Sequence, residues 1–453
     1  MSITGLLFML AFFAGCYLAL ARHPIYGLVT YVAEYYLHPP SRWWGESLPD
    51  LRWSLLAAGV TALAVMIRKK PLAAQAAGVP VSHHRIFIGL ILFVLWVALQ
   101  SLWALDMDMH MELLSLFAKY VLLLALIYKC VDSEEHLRLF LWTHVLGCVY
   151  LGWIVLDANS GGRFEGFGGP DINESNAGAL QIVTGVATAG ALFLAGSART
   201  KLIIIAALPL ILNAFIATVS RSGFLEIIVA GVVYNLLAPK HRRKRVGVVS
   251  VIGVIGFLII AGPTYWGRID SLKYAGEQVD GMDTGASRIA IVKAQWEMFK
   301  AHPMGCGHRC TAVLSPSYMP DSLLTGEGEN RARSSHNTFM SLLVEQGVFG
   351  VMFYVGMLGW IVARLISLRR VFRSQESLLA EFYPAVAASL CAILIGDMFV
   401  DYLRSEARIW FVALLMVLVK LAALEQPQET PTRAWSPGRP AHSTQSRISS
   451  GGA

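Results

Sequence analysis

The chain has 453 residues, of which 55% are hydrophobic and only 15% are charged, and its mean hydropathy is +0.55. Soluble proteins carry about a quarter charged residues, so this composition excludes an ordinary soluble globular fold. The net charge of +7 could suggest nucleic-acid binding. In membrane proteins, however, Lys and Arg accumulate in cytoplasmic loops that face anionic lipid. The composition therefore predicts an all-α polytopic membrane protein without a nucleic-acid partner.

Apolar segments follow one another along the chain. Most are about 17–20 residues long, enough for a helix to cross a hydrocarbon core of about 30 Å. They lie at about 3–21, 24–38, 51–67, 85–104, 113–129, 137–157, 177–195, 201–219, 221–238, 246–263, 336–366, 379–400 and 405–423. Because the second segment is short, the predicted number of transmembrane helices is twelve or thirteen. The first segment lacks a small-residue cleavage site, so we expect it to be retained rather than removed as a signal peptide.

Basic loops predict the orientation of these segments, because Lys and Arg favour the cytoplasmic side. Such loops occur at 68–85, at Lys240–Arg245 (KHRRKR) and at Arg364–Arg373 (RLISLRRVFR). Counting spans between them places the C-terminal tail in the cytoplasm. It also places the stretch 159–175, the Ser220/Arg221 junction and a long loop on the periplasmic side.

The predicted organisation has four parts. They are transmembrane helices over 1–261, a large periplasmic loop over 262–335, C-terminal transmembrane helices over 336–425 and a disordered cytoplasmic tail over 426–453. The tail is polar and rich in Pro and Ser, which predicts disorder. Within the loop, ASRIAIVKAQWEMFKAH carries Ile289, Val292, Trp296 and Phe299 at helical spacing. This spacing predicts an amphipathic helix that lies along the membrane or caps a cavity in the bundle.

Three cationic positions stand out on the predicted outer face: Arg221, Arg288 and His336, the last preceded by Arg331 and Arg333. A charged group at membrane level costs free energy unless it snorkels, pairs or faces a wet cavity. Each has a structural alternative. The alternatives are an interfacial snorkel or a Glu226 partner for Arg221, a solvated helix face for Arg288, and a helix cap or core hydrogen bond for His336.

Together these side chains suit a phosphate-bearing substrate. Guanidinium groups match phosphate oxygens bidentately and stay charged, and a histidine can accept a proton from an alcohol near neutral pH. A polyprenyl pyrophosphate sugar places its lipid in the bilayer and its pyrophosphate at the interface, where these residues are expected. The arginines would then stabilise the charge that develops on the leaving group.

Other chemistries are weakly indicated. The CGHRC stretch from Cys306 to Cys310 does not have a recognised zinc spacing, and a disulfide there is an alternative. DGMDTG at Asp280–Gly285 lacks the calcium-loop pattern. GGRFEGFGGP is more typical of a flexible loop than of a nucleotide site, which disfavours a nucleotide-sugar donor. We expect no metal and no cofactor.

Over roughly residues 155–370 the chain resembles the O-antigen ligase and polymerase superfamily of bacterial envelope proteins. The segments that carry the resemblance are GRFEGFGGPDINESNAGAL, the SRSG motif at a span start, SRIAIVKAQWEMFKAHPMGCG and SHNTFMSLLVEQGVFG. The last two are the more specific. The former has an Arg, a helix and a Pro-x-Gly-x-Gly turn; the latter has His-Asn followed by Glu-x-Gly.

The resemblance implies a GT-C-like architecture and metal-independent, inverting transfer of a glycan from undecaprenyl pyrophosphate at the periplasmic face of the inner membrane. It most resembles a ligase, for which the acceptor is the lipid A-core oligosaccharide. By the same resemblance, Arg221 and Arg288 would bind pyrophosphate, His336 would be the base or acceptor-positioning group, and Glu345 and Gly347 would be structural. Further substrate contacts are expected at Arg163, Asn176, Arg331, Arg333 and Asn337.

Related functions remain as alternatives. Polymerases and protein O-oligosaccharyltransferases share these motifs. A non-enzymatic transporter of lipid-linked glycans is a further alternative, but it predicts charged or broken helices near the bilayer midplane, often in repeated halves. Here the charges gather at one face.

Overall fold

The computed structural model describes residues 2–68, 85–158, 162–270, 273, 286–325, 332–333 and 336–425. Its α-helices are α1 (Ile3–Ala21), α2 (Ile25–Leu37), α3 (Trp53–Ile67), α4 (Arg85–Gln100), α5 (Met107–Cys130), α6 (Glu134–Ala158), α7 (Ser175–Ala195), α8 (Ala198–Ala217), α9 (Arg221–Leu237), α10 (Arg243–Ile260), α11 (Pro263–Asp270), α12 (Ala286–Ala301), α13 (Cys310–Tyr318), α14 (Thr338–Glu345), α15 (Gly347–Phe372), α16 (Leu378–Gly396) and α17 (Glu406–Glu425). In the described residues, strand-like pairing is limited to an isolated bridge between Thr325 and Ala332. The predicted all-α polytopic class is confirmed.

Most predicted apolar segments coincide with one helix, but the segment at 336–366 is divided at Gln346 into α14 and α15. Fewer helices than predicted meet the length expected of a full span. Eight described helices are long and apolar enough to cross a membrane, and α10 with α11, bent by 104°, gives a ninth. Helices α2, α3, α4 and α9 have 13, 15, 16 and 17 residues. The sequence prediction counted these shorter helices as full spans.

Three helices, α7, α16 and α17, form the centre of the bundle and are buried over most of their length. Small residues permit this close packing. A Cβ added to Gly185 of α7 would lie 2.4 Å from the Cys148 sulfur, and one on Gly223 of α9 would lie 2.8 Å from the Ala179 Cβ. Helix α10 is the opposite case, since Val246 is its one buried residue. Its exposed Val and Ile side chains suit contact with lipid tails.

The loops predicted to be periplasmic meet at one end of the bundle. Phe164 N–H donates to Ala217 O at 2.8 Å, and Leu105 N–H donates to Cys306 O at 3.0 Å. At the other end, the basic segment of Lys240–Arg245 pairs with α16, because Arg242 Nε lies 2.6 Å from Glu381 Oε1. The segment Lys240–Arg245 therefore lies at the end of the bundle opposite the loops around Phe164 and Cys306.

The large loop has its own small core. Ile291 and Met298 of α12 pack with Cys306 and Cys310, which form a disulfide. The predicted helix is present. Phe299 of its predicted apolar stripe packs against this core, while Ile289, Val292 and Trp296 are exposed. Trp296, for example, is 49% exposed, whereas Met298 is fully buried. The packed stripe is the neighbouring one, on the side of α12 that contacts α13 and α14.

The Pro-x-Gly-x-Gly turn and the Glu-x-Gly pair are structural partners. Gly305 and Gly347 have φ values of +80° and +66°, and a Cβ on either would lie about 2.5 Å from backbone atoms of the other segment. Gly307 N–H donates to Glu345 O at 3.0 Å. Glycine is required here by both the backbone conformation and the close approach. The turn therefore anchors the loop to the junction of α14 and α15.

Candidate active site

A polar network joins two of the predicted substrate-binding residues at the end of the bundle that holds the large loop. Asn176 Oδ1 accepts hydrogen bonds from Ser220 Oγ at 2.7 Å and from Arg163 Nη2 at 3.4 Å. Arg163 Nε also donates to Ser175 Oγ at 2.8 Å. The loop before α7 is thereby tied to the start of α9. The structure thus brings Arg163 and Asn176 together beside the helix that begins with Arg221.

The N-terminal ends of α7 and α9 both point into this region. Ser220 caps α9, since its Oγ accepts from Gly223 N–H at 3.0 Å, and Arg221 is the first helical residue. The residue before the cap, Val219, has φ +47°, which is unfavourable for a β-branched side chain. Backbone strain of this kind persists at functional sites. A helix N-terminus carries a partial positive charge and exposed N–H groups, which favour anions.

A third helix, α14, begins at His336 and Asn337. Asn337 caps the helix by accepting from Met340 N–H at 3.0 Å, and its Nδ2 donates to Met398 O at 3.2 Å. The buried Thr338 Oγ1 lies 2.9 Å from both Asp397 Oδ1 and Val400 O, the two acceptors for its one proton. The short helix is therefore fixed to the loop between α16 and α17.

Asp397 fixes the position of that loop. Its carboxylate forms a fully buried ion pair with Arg408 of α17 and accepts a hydrogen bond from Tyr354 of α15. The same Arg408 donates to Tyr402 O at 3.2 Å. The Asp397 carboxylate at the end of α16 thus contacts side chains of α14, α15 and α17. These contacts fix the position of the 397–405 loop next to α14.

A buried acid connects the two parts of the site. Glu226 of α9 is fully buried. It packs against Gly396, where a Cβ would lie 3.0 Å from Glu226 Oε1 and 2.8 Å from the Tyr402 ring. Helix α9, which carries Arg221, therefore packs against the end of α16, directly before the loop that holds α14.

The three predicted catalytic residues lie on elements that belong to this assembly. Arg221, Arg288 and His336 are each half-buried. Arg288 lies near the start of α12, which packs against α14 and so against the helix that follows His336. Among the other predicted substrate contacts, Arg333 N–H donates to Ser315 Oγ of α13 at 2.8 Å. Arg331 lies outside the described residues.

Sequence reasoning missed Asp397, Arg408, Tyr402 and Thr338. A signal was present, since Asp397 and Arg408 are charged residues inside or next to apolar segments, where charge is costly and marks a paired or functional group. Which acid meets which base depends on how α16 and α17 pack, and no local pattern encodes that pairing.

Two acidic groups near the site have pKa values above the usual value for aspartate. Burial raises the pKa of Asp171 to about 6, against the opposing effects of Arg404 and a hydrogen bond from Tyr120. Burial and the neighbouring Glu345 carboxylate raise the pKa of Asp401, while His308 and Arg404 oppose the change. Both groups lie in loops at the same end of the bundle.

A possible metal-ligand set occurs at the opposite end, where His23, Asp132 and His136 approach one another. His23 Nδ1 accepts a hydrogen bond from Ile25 N–H at 3.0 Å, so the ring proton lies on Nε2, which donates to Asp132 at 3.4 Å. His136 Nδ1 lies 2.5 Å from the other Asp132 oxygen. This hydrogen bonding accounts for the cluster without an ion.

The fold and the site define a polytopic membrane protein with a cationic, hydrogen-bonding site at one end of the bundle. There the N-termini of α7 and α9 are joined, and α14 begins on the neighbouring 397–405 loop. Residues 206–355 match the family model described as O-antigen ligase, which confirms the resemblance to the O-antigen ligase superfamily. The matched segment includes Arg221, Arg288 and His336. Members of this family are glycosyltransferase-like ligases and polymerases that act on lipid-linked glycans. No curated protein matches the chain.

Proposed function

We propose that the protein is an O-antigen ligase that transfers a glycan from undecaprenyl pyrophosphate to the lipid A-core oligosaccharide at the periplasmic face of the inner membrane. The observation that carries the proposal is the hydrogen bond that joins the N-terminal ends of α7 and α9 at one polar site, with α14 beginning on the 397–405 loop beside them. Each end favours an anion, and Arg221 and His336 lie at or beside two of them. A lipid pyrophosphate supplies such an anion at this depth.

In the proposed reaction the helix N-termini, Arg221 and Arg288 hold the pyrophosphate. The acceptor hydroxyl attacks the anomeric carbon from the face opposite the leaving group, so configuration inverts. The acceptor oxygen–carbon bond forms as the carbon–pyrophosphate oxygen bond breaks. The hydroxyl proton passes to His336, and the bonding electron pair leaves with the pyrophosphate, whose charge the arginines stabilise. The chemistry requires no metal.

Asn176 and Ser220 would position this machinery. The Asn176 carboxamide oxygen fixes both Arg163 and the cap of α9, while Asn337 and Thr338 fix the start of α14. The two parts are joined through Glu226 and the 397–405 loop. Positioning of this kind contributes because small displacements of catalytic groups cost large factors in rate.

Purified protein, lipid-linked glycan and lipid A-core acceptor test the proposal. We expect Arg288→Ala and His336→Ala each to lower the transfer rate by about 100-fold or more, as loss of a charge-stabilising group or a general base does. Arg138→Ala, an exposed position near the start of α6, is the matched control and should transfer normally. EDTA should have no effect.

The acceptor decides between ligase and related activities. Product formed only with lipid A-core supports the ligase. Extension of the glycan in the absence of lipid A-core would instead identify a polymerase. Transfer of labelled glycan to a protein acceptor would identify a protein glycosylation enzyme. Undiminished transfer by both the Arg288 and the His336 variants would overturn the mechanism. Loss of activity with EDTA would overturn its metal independence.

A further inference from the structure

Helix α5 carries an unusual stripe of exposed polar residues on a membrane-length helix. Asp108, Glu112, Ser115 and Lys119 recur at spacings of three and four residues, so they share one helix face, and all are exposed. Asp108 and Glu112 precede the apolar segment that begins at about residue 113. Lys119 lies inside that segment, where a charge that faces lipid is costly and generally marks a wet cavity or a pathway for a polar ligand. The stripe therefore indicates that this face of α5 meets water or a polar ligand.

The stripe lines a pocket of about 480 Å³. Its other polar walls come from the large loop, through His308, and from the loop between α16 and α17, through Arg404. Neither contact is predictable from the α5 sequence. The pocket is open, so it can receive a ligand from the end of the bundle that holds the candidate active site.

His308 is fixed in a defined orientation at this pocket. It is 4% exposed, and its Nδ1 donates to Glu345 Oε2 at 3.0 Å. Its backbone N–H donates to His110 Nδ1 at 3.1 Å. Because Nδ1 carries its proton toward Glu345, Nε2 is the ring nitrogen left to accept a hydrogen bond from a ligand. A buried histidine held by two hydrogen bonds is typical of a built binding site rather than of a solvated surface.

The charges select the class of ligand. Two carboxylates, Asp108 and Glu112, lie in the same pocket as two cations, Lys119 and Arg404. A phosphate would be repelled by the carboxylates. The hydroxyl groups of a saccharide, in contrast, donate to carboxylates and accept from cations, so the mixed lining suits a sugar.

The pocket adjoins the candidate active site through two shared elements. Helix α14 begins at Thr338 beside His336 and ends at Glu345, which holds His308; eight residues span about 12 Å. The 397–405 loop contacts Thr338 through Asp397 and lines the pocket through Arg404. A short oligosaccharide could thus extend from one site to the other.

We propose that this pocket, which we call the α5 groove, is a saccharide-binding subsite for the glycan of a membrane-anchored substrate. The lipid part stays in the bilayer while the sugar residues lie against Glu112, Lys119, His308 and Arg404. The inference rests on the proposed glycan transfer and adds to it the place where sugars beyond the reacting one are held. The sugars come either from the acceptor or from the donor glycan.

Direct binding tests the α5 groove without catalysis. Detergent-solubilised protein is titrated with delipidated core oligosaccharide and, separately, with glycan released from its polyprenyl carrier, and binding is followed by saturation-transfer NMR. We expect the double variant Glu112→Gln/Lys119→Gln to weaken binding of one glycan by about tenfold, which corresponds to about 1.4 kcal/mol. These exposed positions are chosen because replacing the buried His308 could prevent folding. Lys129→Gln, at the other end of the same helix, is the matched control.

Steady-state kinetics identify which glycan is held. A rise of about fivefold or more in the KM for the acceptor, with the donor KM unchanged, assigns the groove to the acceptor, and the reverse result assigns it to the donor. If the wild-type protein forms product but the double variant changes neither KM nor binding, the groove proposal is wrong and the proposed function stands. If the wild-type protein forms no product, the proposed function fails and the binding titration alone decides the groove. If the double variant binds each glycan with the same affinity as the wild-type protein, the groove proposal is wrong, whether or not product is formed.

Discussion

Asn176 shows how single side chains organise the candidate active site. One carboxamide oxygen accepts from both Arg163 and Ser220, and these donors belong to different elements. The oxygen therefore couples the loop before α7 to the N-terminus of α9. The sequence predicted a substrate contact at Asn176, but it did not show that this side chain joins two elements of the fold.

Asp171 allows a residue-scale test of burial. It lies in the loop between α6 and α7 with φ +62°, and Tyr120 OH donates to its Oδ2 at 3.2 Å. Burial raises its pKa to about 6. In the unfolded chain an Asp has a pKa near 3.9. As pH rises from about 4 to about 6, the unfolded chain releases a proton that the folded protein retains, so the wild-type protein loses stability over this range.

Asp171→Asn removes this titration, and Asn tolerates a positive φ. We expect the variant to gain stability relative to the wild-type protein between pH 4 and pH 6, by on the order of 2 kcal/mol, and the difference to stay constant above pH 6. Thermal unfolding in detergent at several pH values measures it. The exposed Asp157→Asn serves as the control. A stability difference that does not change with pH would contradict the assignment.

At the scale of elements, the position of α14 depends on the junction of α15, α16 and α17. Asp397 forms an ion pair with Arg408 and accepts hydrogen bonds from Tyr354 and Thr338. The position of the short helix α14 therefore depends on a buried ion pair. A buried pair adds little net stability compared with apolar packing, but removing one partner leaves an uncompensated charge. The pair therefore defines the geometry of the loop more than it drives folding.

Replacing Asp397 with Asn should destabilise the protein by about 3–5 kcal/mol, because Arg408 would remain buried without its counter-charge. Thermal unfolding and the monodisperse fraction on size exclusion measure the effect. Glu297→Gln is the matched control, since Glu297 pairs with Lys300 at 2.6 Å on the exposed surface of α12. Exposed pairs contribute about 0–1 kcal/mol. Equal effects of the two substitutions would show that the Asp397 pair is not buried as described.

At the scale of the whole molecule, cysteine usage and basic loops both bear on orientation. The disulfide between Cys306 and Cys310 lies in the large loop, whereas Cys16, Cys130, Cys148 and Cys391 are free. Disulfides persist in oxidising compartments such as the bacterial periplasm. The large loop therefore suits the periplasm, on the side opposite the basic segment Lys240–Arg245.

Two measurements test this orientation. The protein is alkylated and digested without a reducing agent, and mass spectrometry should then find a disulfide-linked Cys306–Cys310 peptide. In protein from cells that lack the periplasmic thiol oxidase, both cysteines should instead be alkylated. In addition, an Asp321→Cys variant should react with a membrane-impermeant maleimide in cells with a permeabilised outer membrane. Lys240→Cys should react only after the inner membrane is opened. The reverse labelling pattern would invert the topology.

The sequence by itself determined the class of protein, the helix positions and the candidate catalytic set. Hydropathy over about twenty residues is a local property, and a charge in an apolar chain is visible without coordinates. The motifs likewise identified Arg221, Arg288 and His336, and the family match includes all three. The sequence shows Gly305 and Gly347 as glycines in two motifs. It does not show that the backbones of the two motifs pack against each other at these residues.

Only the tertiary structure decided which distant groups meet. The pairing of Asp397 with Arg408, the link from Asn176 to Ser220 and the α5 groove all join side chains from different helices. The packed face of α12 was also decided there, since the loop core buried Ile291 and Met298 rather than the more obvious stripe. The physical reason is that hydropathy fixes where a helix runs, whereas its rotation and neighbours depend on packing against surfaces far away in the chain.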